Sequence, residues 1–248
     1  MGRVVVVTGG ASGMGLASAQ RLARKGYRVA ILDLNAEAAE AEAAALSADG
    51  HEAIGLQVDV ADRASVDAAV AQVKQTYGPT EILVHSAGIT DFTPFLEITD
   101  EKFTRLLSVN LWGSWNMAQS VVPDMIEAGW GRICMMSSSS TQTGAAKMAA
   151  YITSKGGVIG LTKALASELG QYGITSNHIP PGSIVTPMSM NSLAGGNLPN
   201  LEELGKRLPV RRIGQPEDIA AAVEYIVSDD AGYLTGQSIN INGGRFYG

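Results

Sequence analysis

A single α/β domain built on a doubly wound parallel sheet is predicted for this chain. Short runs rich in β-branched residues alternate from end to end with longer segments of helical periodicity. Such alternation indicates a parallel sheet with helices on both faces. Each helix carries the chain back to the end of the sheet at which the previous strand began, so the next strand runs in the same direction. Hydrophobic residues form 46% of the 248 residues and charged residues 17%, which suffices for a large core. We therefore expect one domain over 1–248 with about seven strands.

The first half of the chain alternates regularly between the two kinds of element. The run VVVV in the first strand is apolar on both faces and suits a buried parallel strand. Glycine, or glycine followed by proline, comes after the first and third helical segments, as is usual at helix ends. The predicted strands cover 3–8, 28–33, 52–59 and 81–88, and the predicted helices cover 14–25, 36–48 and 62–76.

The second half continues the alternation around one irregular segment, 183–209. This segment is rich in Gly, Pro, Met and Ser and has weak periodicity. Loops of that length in a compact domain are usually functional, so we expect an active-site lid there, with a disordered excursion as the alternative. Elsewhere the pattern predicts one long helix or two in tandem over 100–128, then a strand at 131–138, a helix at 148–170, a strand at 174–179, a helix at 216–228 and a last strand at 237–241.

Composition excludes several classes of function. The net charge of −6 provides no electrostatic footprint for nucleic acid or an anionic membrane, and no apolar run approaches the ~20 residues of a membrane span. Cys134 is the only cysteine, and His51, His85 and His178 lie far apart, so we expect neither a disulfide nor a metal site. The start of the chain leads into a glycine loop and does not resemble a signal peptide, which predicts a cytoplasmic protein. With nucleic acid and membrane disfavoured, we expect a small-molecule substrate.

A glycine-rich loop, TGGASGMG at 8–15, joins the first strand to the first helix. Gly9, Gly13 and Gly15 permit a tight turn and close approach of the backbone to a phosphate. The amino terminus of the helix then offers free N–H groups and partial positive charge to a pyrophosphate. Glycine loops alone are weak evidence, and a purely structural turn is the alternative.

An acid, Asp33, ends the second strand. A carboxylate at this place can accept hydrogen bonds from the ribose hydroxyls of an adenosine, and it would repel a 2′-phosphate. Leu34 and Asn35 follow it, and no arginine or lysine stands beside Gly9 or Asp33 to hold such a phosphate. The sequence therefore predicts NAD rather than NADP. The alternative role for Asp33 is a cap for the helix at 36–48, and the two roles are compatible.

A set of motifs in order resembles the short-chain dehydrogenase/reductase family over nearly the whole chain. The motifs are TGGASGMG at 8–15, DV at 59–60, SAG at 86–88, Asn110 in SVNLWG, Ser138 in SSSS, Tyr151-x-x-x-Lys155, and PPGSIVTP at 180–187. The resemblance implies a Rossmann-type fold, a homotetramer and a dinucleotide cofactor. It also implies cofactor contacts at Gly9, Ser12, Gly13, Met14, Gly15, Asp33, Leu34, Asp59, Val60, Ser86, Ala87, Gly88, Tyr151, Lys155, Pro181, Gly182, Ile184 and Thr186.

Tyr151 and Lys155 lie one helical turn apart and share a face. A phenol can serve as a general acid/base if its anion is stabilised, and an opposite charge nearby typically lowers a pKa by ~1–3 units. We expect Lys155 and a bound pyridinium to lower the pKa of Tyr151. By the resemblance, Ser138 orients the substrate oxygen, and Asn110 holds a water that bridges to Lys155 and relays protons to solvent. Ser140 in the same serine run and Met188 in segment 183–209 are candidate substrate contacts. Each residue alone has an ordinary alternative, such as a capping serine or a surface Tyr–Lys pair.

His85 and Ser86 replace a pair of asparagines that the family usually has, which leaves the role of His85 open. Three functions fit the sequence. The first is an NAD-dependent oxidoreductase of secondary alcohols and ketones. The second is a reductase of 3-oxoacyl thioesters, although such enzymes usually prefer NADP. The third is a non-catalytic NAD-binding regulatory protein, although such relatives tend to lose Tyr151 or Lys155. A serine hydrolase is disfavoured, because no Gly-x-Ser-x-Gly motif occurs.

Overall fold

Six parallel strands form one sheet in the order β3-β2-β1-β4-β5-β6 in the computed structural model, which describes residues 2–247. Met1 and Gly248, the ends of the predicted domain, lie outside the described residues. The strand order reverses between β1 and β4, and this switch point is where open α/β sheets place their ligands. The strands are β1 (Val4–Thr8), β2 (Arg28–Asp33), β3 (Ala53–Gln57), β4 (Ile82–His85), β5 (Gly131–Met136) and β6 (Ile174–Ile179).

Helices cover both faces of the sheet, as predicted. Val4 and Val6 pack into one core cluster with α3, α5 and α7, whereas Val5 and Val7 pack into a second cluster with α1, α2 and α10. The VVVV run is fully buried because its side chains alternate between these two cores. The helices are α1 (Gly13–Arg24), α2 (Ala36–Ala48), α3 (Arg63–Tyr77), α4 (Asp100–Leu107), α5 (Gly113–Ala128), α6 (Ser140–Thr143), α7 (Ala149–Leu169), α8 (Pro187–Ala194), α9 (Leu201–Arg207) and α10 (Pro216–Ile226).

The predicted seventh strand at 237–241 does not form a regular strand. Its segment lies beside β6, where it makes a single parallel bridge between His178 and Ser238. Side chains take the places of further ladder bonds: Asn177 Oδ1 accepts from the Gln237 N–H at 3.0 Å, and Thr235 Oγ1 accepts from the Ser176 N–H at 3.1 Å. The predicted count of about seven strands was therefore one strand too high, because this segment makes one bridge to β6 and no regular strand.

The long helix predicted over 100–128 is two helices joined by a π-helical turn, Ser108–Trp112. Asn110 lies at the centre of this turn and is fully buried. Single π turns inside helices frequently occur at functional sites, because they redirect one side chain and release backbone groups. The tandem alternative is confirmed, and the turn aims Asn110 at the segment that follows β4.

Segment 183–209 contains two short helices, so the expectation of an irregular loop was wrong. Thr186 caps α8 in a reciprocal capping box with Ser189, and Pro187 occupies the first turn. Asn200 caps α9 by accepting from two backbone N–H groups. These caps favour the start of each helix, although the hydrophobic periodicity of the segment is weak. In the described part of the chain, no helix has both the length and the apolar character needed to cross a bilayer.

Candidate active site

Two adjoining cavities open at the carboxyl edge of the sheet. The larger is a cleft of about 530 Å³ beside β1, β2 and β4, and the smaller is a pocket of about 230 Å³ beyond β5 and β6. Met14, Thr186 and Met188 line both of them. A ligand in the cleft can therefore meet a second ligand in the pocket without crossing the protein interior.

The glycines of the 8–15 loop occupy positions where a side chain would clash or would strain the backbone. Gly9 and Gly13 have φ of 60° and 53°, a left-handed conformation that disfavours side chains. A Cβ on Gly9 would lie 2.8 Å from the Ala87 nitrogen, and a Cβ on Gly15 would lie 2.1 Å from the Gly9 oxygen. Gly15 thus lets α1 start directly against the loop, which directs the first N–H groups of the helix at the cleft.

Asp33 braces this loop from the end of β2. Its carboxylate accepts the Ala11 N–H at 3.1 Å and the Asn35 N–H at 3.1 Å. The cap of α2 is Asn35, whose Oδ1 accepts from Ala38, so the capping alternative for Asp33 was wrong. The Asp33 side chain also lines the cleft, and it keeps further lone pairs to accept hydroxyl donors there.

The predicted cofactor residues divide between the two cavities. Four of them line the pocket without lining the cleft: Tyr151, Pro181, Gly182 and Ile184. Gly15 and Lys155 line neither cavity, since Gly15 packs against Gly9 and Lys155 is buried beneath the floor of the site. The cleft is lined by the remaining members: Gly9, Ser12, Gly13, Met14, Asp33, Leu34, Asp59, Val60, Ser86, Ala87, Gly88 and Thr186.

Ser138, Ser140 and Tyr151 share the wall of the small pocket. Ser138 Oγ and Ser140 Oγ share a hydrogen bond of 2.7 Å. The neighbouring hydroxyl of Ser137 is already bound to His178 Nδ1 at 2.7 Å. Burial raises the pKa of Tyr151, and hydrogen bonding to Ser138 opposes that rise. The structure therefore brings together a phenol and a serine hydroxyl around one small cavity.

Lys155 lies one turn along α7 from Tyr151 and is buried. Its Nζ donates to the Met136 carbonyl at 2.9 Å, and burial lowers its pKa to about 8. The expected lowering of the pKa of Tyr151 by Lys155 is not found in the protein alone, because burial of the phenol dominates. Stabilising the phenolate at neutral pH therefore requires further positive charge in the site.

Asn110 holds the segment after β4 through its side chain. Its Oδ1 accepts the Ile89 N–H at 2.8 Å, and its Nδ2 donates to the Ile89 carbonyl at 3.0 Å and to Ser154 Oγ at 2.9 Å. A Cβ added to Gly88 would lie 3.1 Å from both Asn110 Oδ1 and Lys155 Nζ, so this glycine makes room for the two side chains. The water-holding role of Asn110 stays a prediction.

Replacing Asn110 with alanine should destabilise the fold. The Ile89 N–H and carbonyl would lose partners in a part-buried place, which costs about 2–4 kcal/mol for the two groups. Urea unfolding monitored by circular dichroism would measure the loss, with Thr104→Ala on the exposed face of α4 as the control. A loss no larger than that of the control would show that Asn110 does not hold this segment.

His85 replaces an asparagine of the usual motif and is a buried neutral imidazole. Its Nδ1 shares a hydrogen bond of 2.9 Å with Thr8 Oγ1, which also accepts the Ala87 N–H at 3.2 Å. Burial, with a smaller contribution from the charge of Lys155, lowers the pKa of His85 to about 3. Thr8 and His85 therefore add a side-chain hydrogen bond to the backbone pairing between β1 and β4.

Sequence reasoning missed several residues of the pocket wall. None of them belongs to a local motif, and each reaches the pocket through the fold of the second half of the chain. Arg245 is the most unexpected, because the turn that carries it lies far beyond the recognised motifs. The missed residues are Thr90, Phe92, Met148, Ser192, Leu198, Leu201 and Arg245.

Comparison with curated proteins gives relatives over nearly the full length. The chain is 40% identical over 243 residues to D-threitol dehydrogenase of Mycolicibacterium smegmatis, covering 98% of this chain and 92% of the relative. It is 36% identical to the 3-oxoacyl-[acyl-carrier-protein] reductase FabG of Staphylococcus aureus, covering 99% of both chains. A relative in Sinorhizobium fredii, described as a short-chain type dehydrogenase/reductase, is 39% identical and covers 98% of this chain and 97% of its own.

Solved structures agree with this relationship. Levodione reductase superposes with a TM-score of 0.93 at 36% identity, covering 98% of this chain and 97% of that one. A single-substitution variant of actinorhodin polyketide ketoreductase with NADPH superposes with a TM-score of 0.94 at 33% identity, covering 99% and 98%. A family model described as enoyl-(acyl carrier protein) reductase matches residues 9–245. The chain belongs to the short-chain dehydrogenase/reductase family, whose members are oxidoreductases that use a nicotinamide cofactor.

Proposed function

We propose that this protein transfers a hydride between NAD(H) and a secondary alcohol or ketone, with Tyr151 as the general acid/base. The observation that carries the proposal is the meeting of the two cavities. The cleft is lined by the glycine loop and Asp33, and the pocket is lined by Tyr151 and Ser138. The nicotinamide end of a dinucleotide in the cleft would reach the boundary with the pocket, which Met14, Thr186 and Met188 form.

A bound oxidised nicotinamide supplies the hydride acceptor and a positive charge. Ser138 donates a hydrogen bond to the substrate oxygen and orients it. Tyr151 would take the hydroxyl proton while the carbinol carbon loses its hydride and the C=O bond forms. In the reverse direction, Tyr151 gives the proton back to the alkoxide oxygen. Lys155 adds positive charge beneath the site, which favours the phenolate in the loaded enzyme.

We propose NAD rather than NADP, because Asp33 presents its carboxylate to the cleft. Like charges brought together cost several kcal/mol, so a 2′-phosphate beside this carboxylate is disfavoured. Arg105 also lines the cleft, from the end of α4, and its guanidinium is the nearest candidate to offset that repulsion if NADP were preferred.

Asp33→Asn tests the choice of cofactor. The wild-type kcat/KM for NAD should exceed that for NADP by about 100-fold, and the neutral variant should narrow this ratio to about 10-fold or less. The amide oxygen can still accept the Ala11 N–H and hold the loop, while the bond from the Asn35 N–H is lost. Asp49→Asn, an exposed carboxylate at the end of α2, is the charge control. A wild-type preference for NADP would overturn this assignment.

A second candidate is reduction of a 3-oxoacyl thioester, as in the relative from Staphylococcus aureus. A third cavity of about 610 Å³ favours it, since it shares Thr90, Phe92 and Met188 with the pocket and could take an extended acyl chain. A non-catalytic NAD-binding protein is the remaining alternative. Steady-state assays with secondary alcohols, ketones and acetoacetyl thioesters, each with both cofactors, distinguish the three. Thioester reduction alone would favour the second, and no turnover of any substrate would favour the third.

The same proposal includes a homotetramer, a lid formed by segment 183–209 and a cytoplasmic location. Trp112 and Trp115 support the assembly. Their rings stack with centroids 6.3 Å apart, yet the residues remain 56% and 44% exposed. Exposed stacked aromatics are typical of protein interfaces. Light scattering of Trp112→Arg should show smaller particles than the wild type, and an unchanged mass would exclude these tryptophans from the interface.

A further inference from the structure

We propose that Arg245 determines substrate specificity by binding a carboxylate of the substrate, so that the enzyme acts on short hydroxy acids or oxo acids. This inference rests on the proposed function, since it concerns the substrate of the same pocket. Arg245 is the one charged side chain that lines the pocket of Tyr151 and Ser138, and no acidic side chain of the described residues lines it. Although the chain has a net charge of −6, the only charged side chain among the described residues that line this pocket is positive.

The turn that carries Arg245 is fixed to the catalytic edge by a buried asparagine. Asn242 is 7% exposed, and its Oδ1 accepts the Gly244 N–H at 3.0 Å. Its Nδ2 donates to the Phe246 carbonyl at 3.1 Å, and its own carbonyl accepts the Arg245 N–H at 3.2 Å. Three hydrogen bonds to one buried residue hold the backbone on both sides of the arginine.

Three glycines bring this turn against the pocket. Gly243 and Gly244 have φ of 65° and 82°, which allows the chain to fold back. A Cβ on Gly182 would lie 2.8 Å from the Asn242 Cα, so the turn packs directly on the segment after β6. Gly182 also donates its N–H to the Ile241 carbonyl at 3.1 Å. This close approach places Arg245 on the same wall as Pro181 and Ser183.

The arginine side chain is oriented by a hydroxyl of the pocket and has no charged partner among the described residues. Its Nη1 donates to Ser183 Oγ at 3.2 Å, and no ion pair of Arg245 occurs within residues 2–247. Because Ser183 accepts this bond, its own hydroxyl proton remains available to a ligand. A guanidinium beside a hydroxyl donor matches the two oxygens of a carboxylate.

The rest of the pocket limits the size of the substrate. Phe92, Met148 and Leu201 line the pocket, whose volume of about 230 Å³ must also hold the reacting carbon of the substrate. Thr90 adds a buried hydroxyl that has no hydrogen-bond partner among the described residues. A short, polar, singly charged molecule suits this combination of one cation, several hydroxyls and a few apolar walls better than a long acyl chain does.

Calorimetric binding to the NAD-loaded enzyme, which has no hydride to give to a ketone, tests the inference with acetoacetate and its uncharged amide, acetoacetamide. The acid should bind about 10- to 100-fold more tightly than the amide. Arg245→Gln should abolish this preference, and Arg245→Lys should retain part of it. The affinity for NADH should stay unchanged in both variants. Arg207→Gln, an exposed arginine of α9 outside the lining of this pocket, is the control for net charge.

Equal binding of acid and amide, no binding of the acid, or an acid preference that survives in Arg245→Gln would overturn the inference. Turnover of uncharged secondary alcohols with NAD tests the proposed function separately. If the protein oxidises neutral alcohols, including a polyol such as threitol, and Arg245→Gln does not change its binding of the acid, the proposed function stands and the carboxylate site is wrong. A protein that binds acids through Arg245 but catalyses no hydride transfer would lose the proposed function.

Discussion

Replacing Tyr151 with phenylalanine should remove nearly all turnover while NAD binding persists. The phenol lines the pocket, whereas the glycine loop and Asp33 line the cleft, so the change deletes one hydroxyl and leaves the cofactor wall intact. A positioned general acid/base typically contributes about 10²- to 10⁴-fold in rate, and kcat should fall by that factor. The phenyl ring keeps the apolar contacts, so the free energy of unfolding should change little.

The matched control is Tyr172→Phe, which removes a hydroxyl from a tyrosine that is 39% exposed and lies beyond the end of α7. Steady-state rates and the Kd for NADH should be measured on both variants. If Tyr151→Phe retained more than about a tenth of the wild-type kcat, Tyr151 could not be the group that transfers the proton.

Replacing Lys155 with methionine should inactivate the enzyme and stabilise the protein without cofactor. The ammonium is buried with one backbone acceptor, and burial lowers its pKa from 10.5 to about 8. Keeping the group charged in the fold therefore costs roughly 3 kcal/mol at neutral pH. An apolar side chain of similar length avoids this cost and gives up one hydrogen bond of about 1 kcal/mol, for a net gain of roughly 2 kcal/mol.

The gain in stability should depend on pH in a defined direction. Below pH 8 the wild-type lysine is protonated in both states, and the full cost of burying the charge is present. Between pH 8 and 10.5 the unfolded state binds more protons than the folded state, so the stability of the wild type rises with pH. The advantage of Lys155→Met should therefore shrink over this window.

Urea unfolding of the two proteins between pH 7 and pH 10 would measure the difference, with Lys163→Met on the exposed side of α7 as the control. A variant less stable than the wild type at pH 7, or a difference that does not narrow as the pH rises, would show that Lys155 is not a strained buried charge. An active Lys155→Met enzyme would remove Lys155 from the catalytic set.

The core of the fold was predictable because local pattern and tertiary environment agree. The VVVV run predicted a strand buried on both faces, and its side chains do enter two separate cores. Asp33, Ser86 and Ser138 were expected at one edge because each follows the end of a parallel strand, and all three line the two cavities there. Such residues depend only on strand direction, which strand–helix alternation determines.

Other features depend on contacts between distant segments. The last predicted strand is replaced by side-chain bonds from Asn177 and Thr235, which apolar alternation cannot reveal. The helices α8 and α9 are specified by the caps at Thr186 and Asn200, signals that the weak periodicity concealed. Arg245 reaches the pocket only because the Asn242 turn packs on Gly182, and nothing in the local sequence indicates that approach.

Hydride transfer from a labelled substrate tests the central claim most directly. The NAD-loaded enzyme and its Tyr151→Phe variant would be mixed with a secondary alcohol that carries deuterium on the carbinol carbon, in a single turnover. The wild type should place the deuterium on NADH with a primary isotope effect, and the variant should bind NAD and transfer almost none. Equal transfer by the variant, or NADH without deuterium from the wild type, would contradict the account.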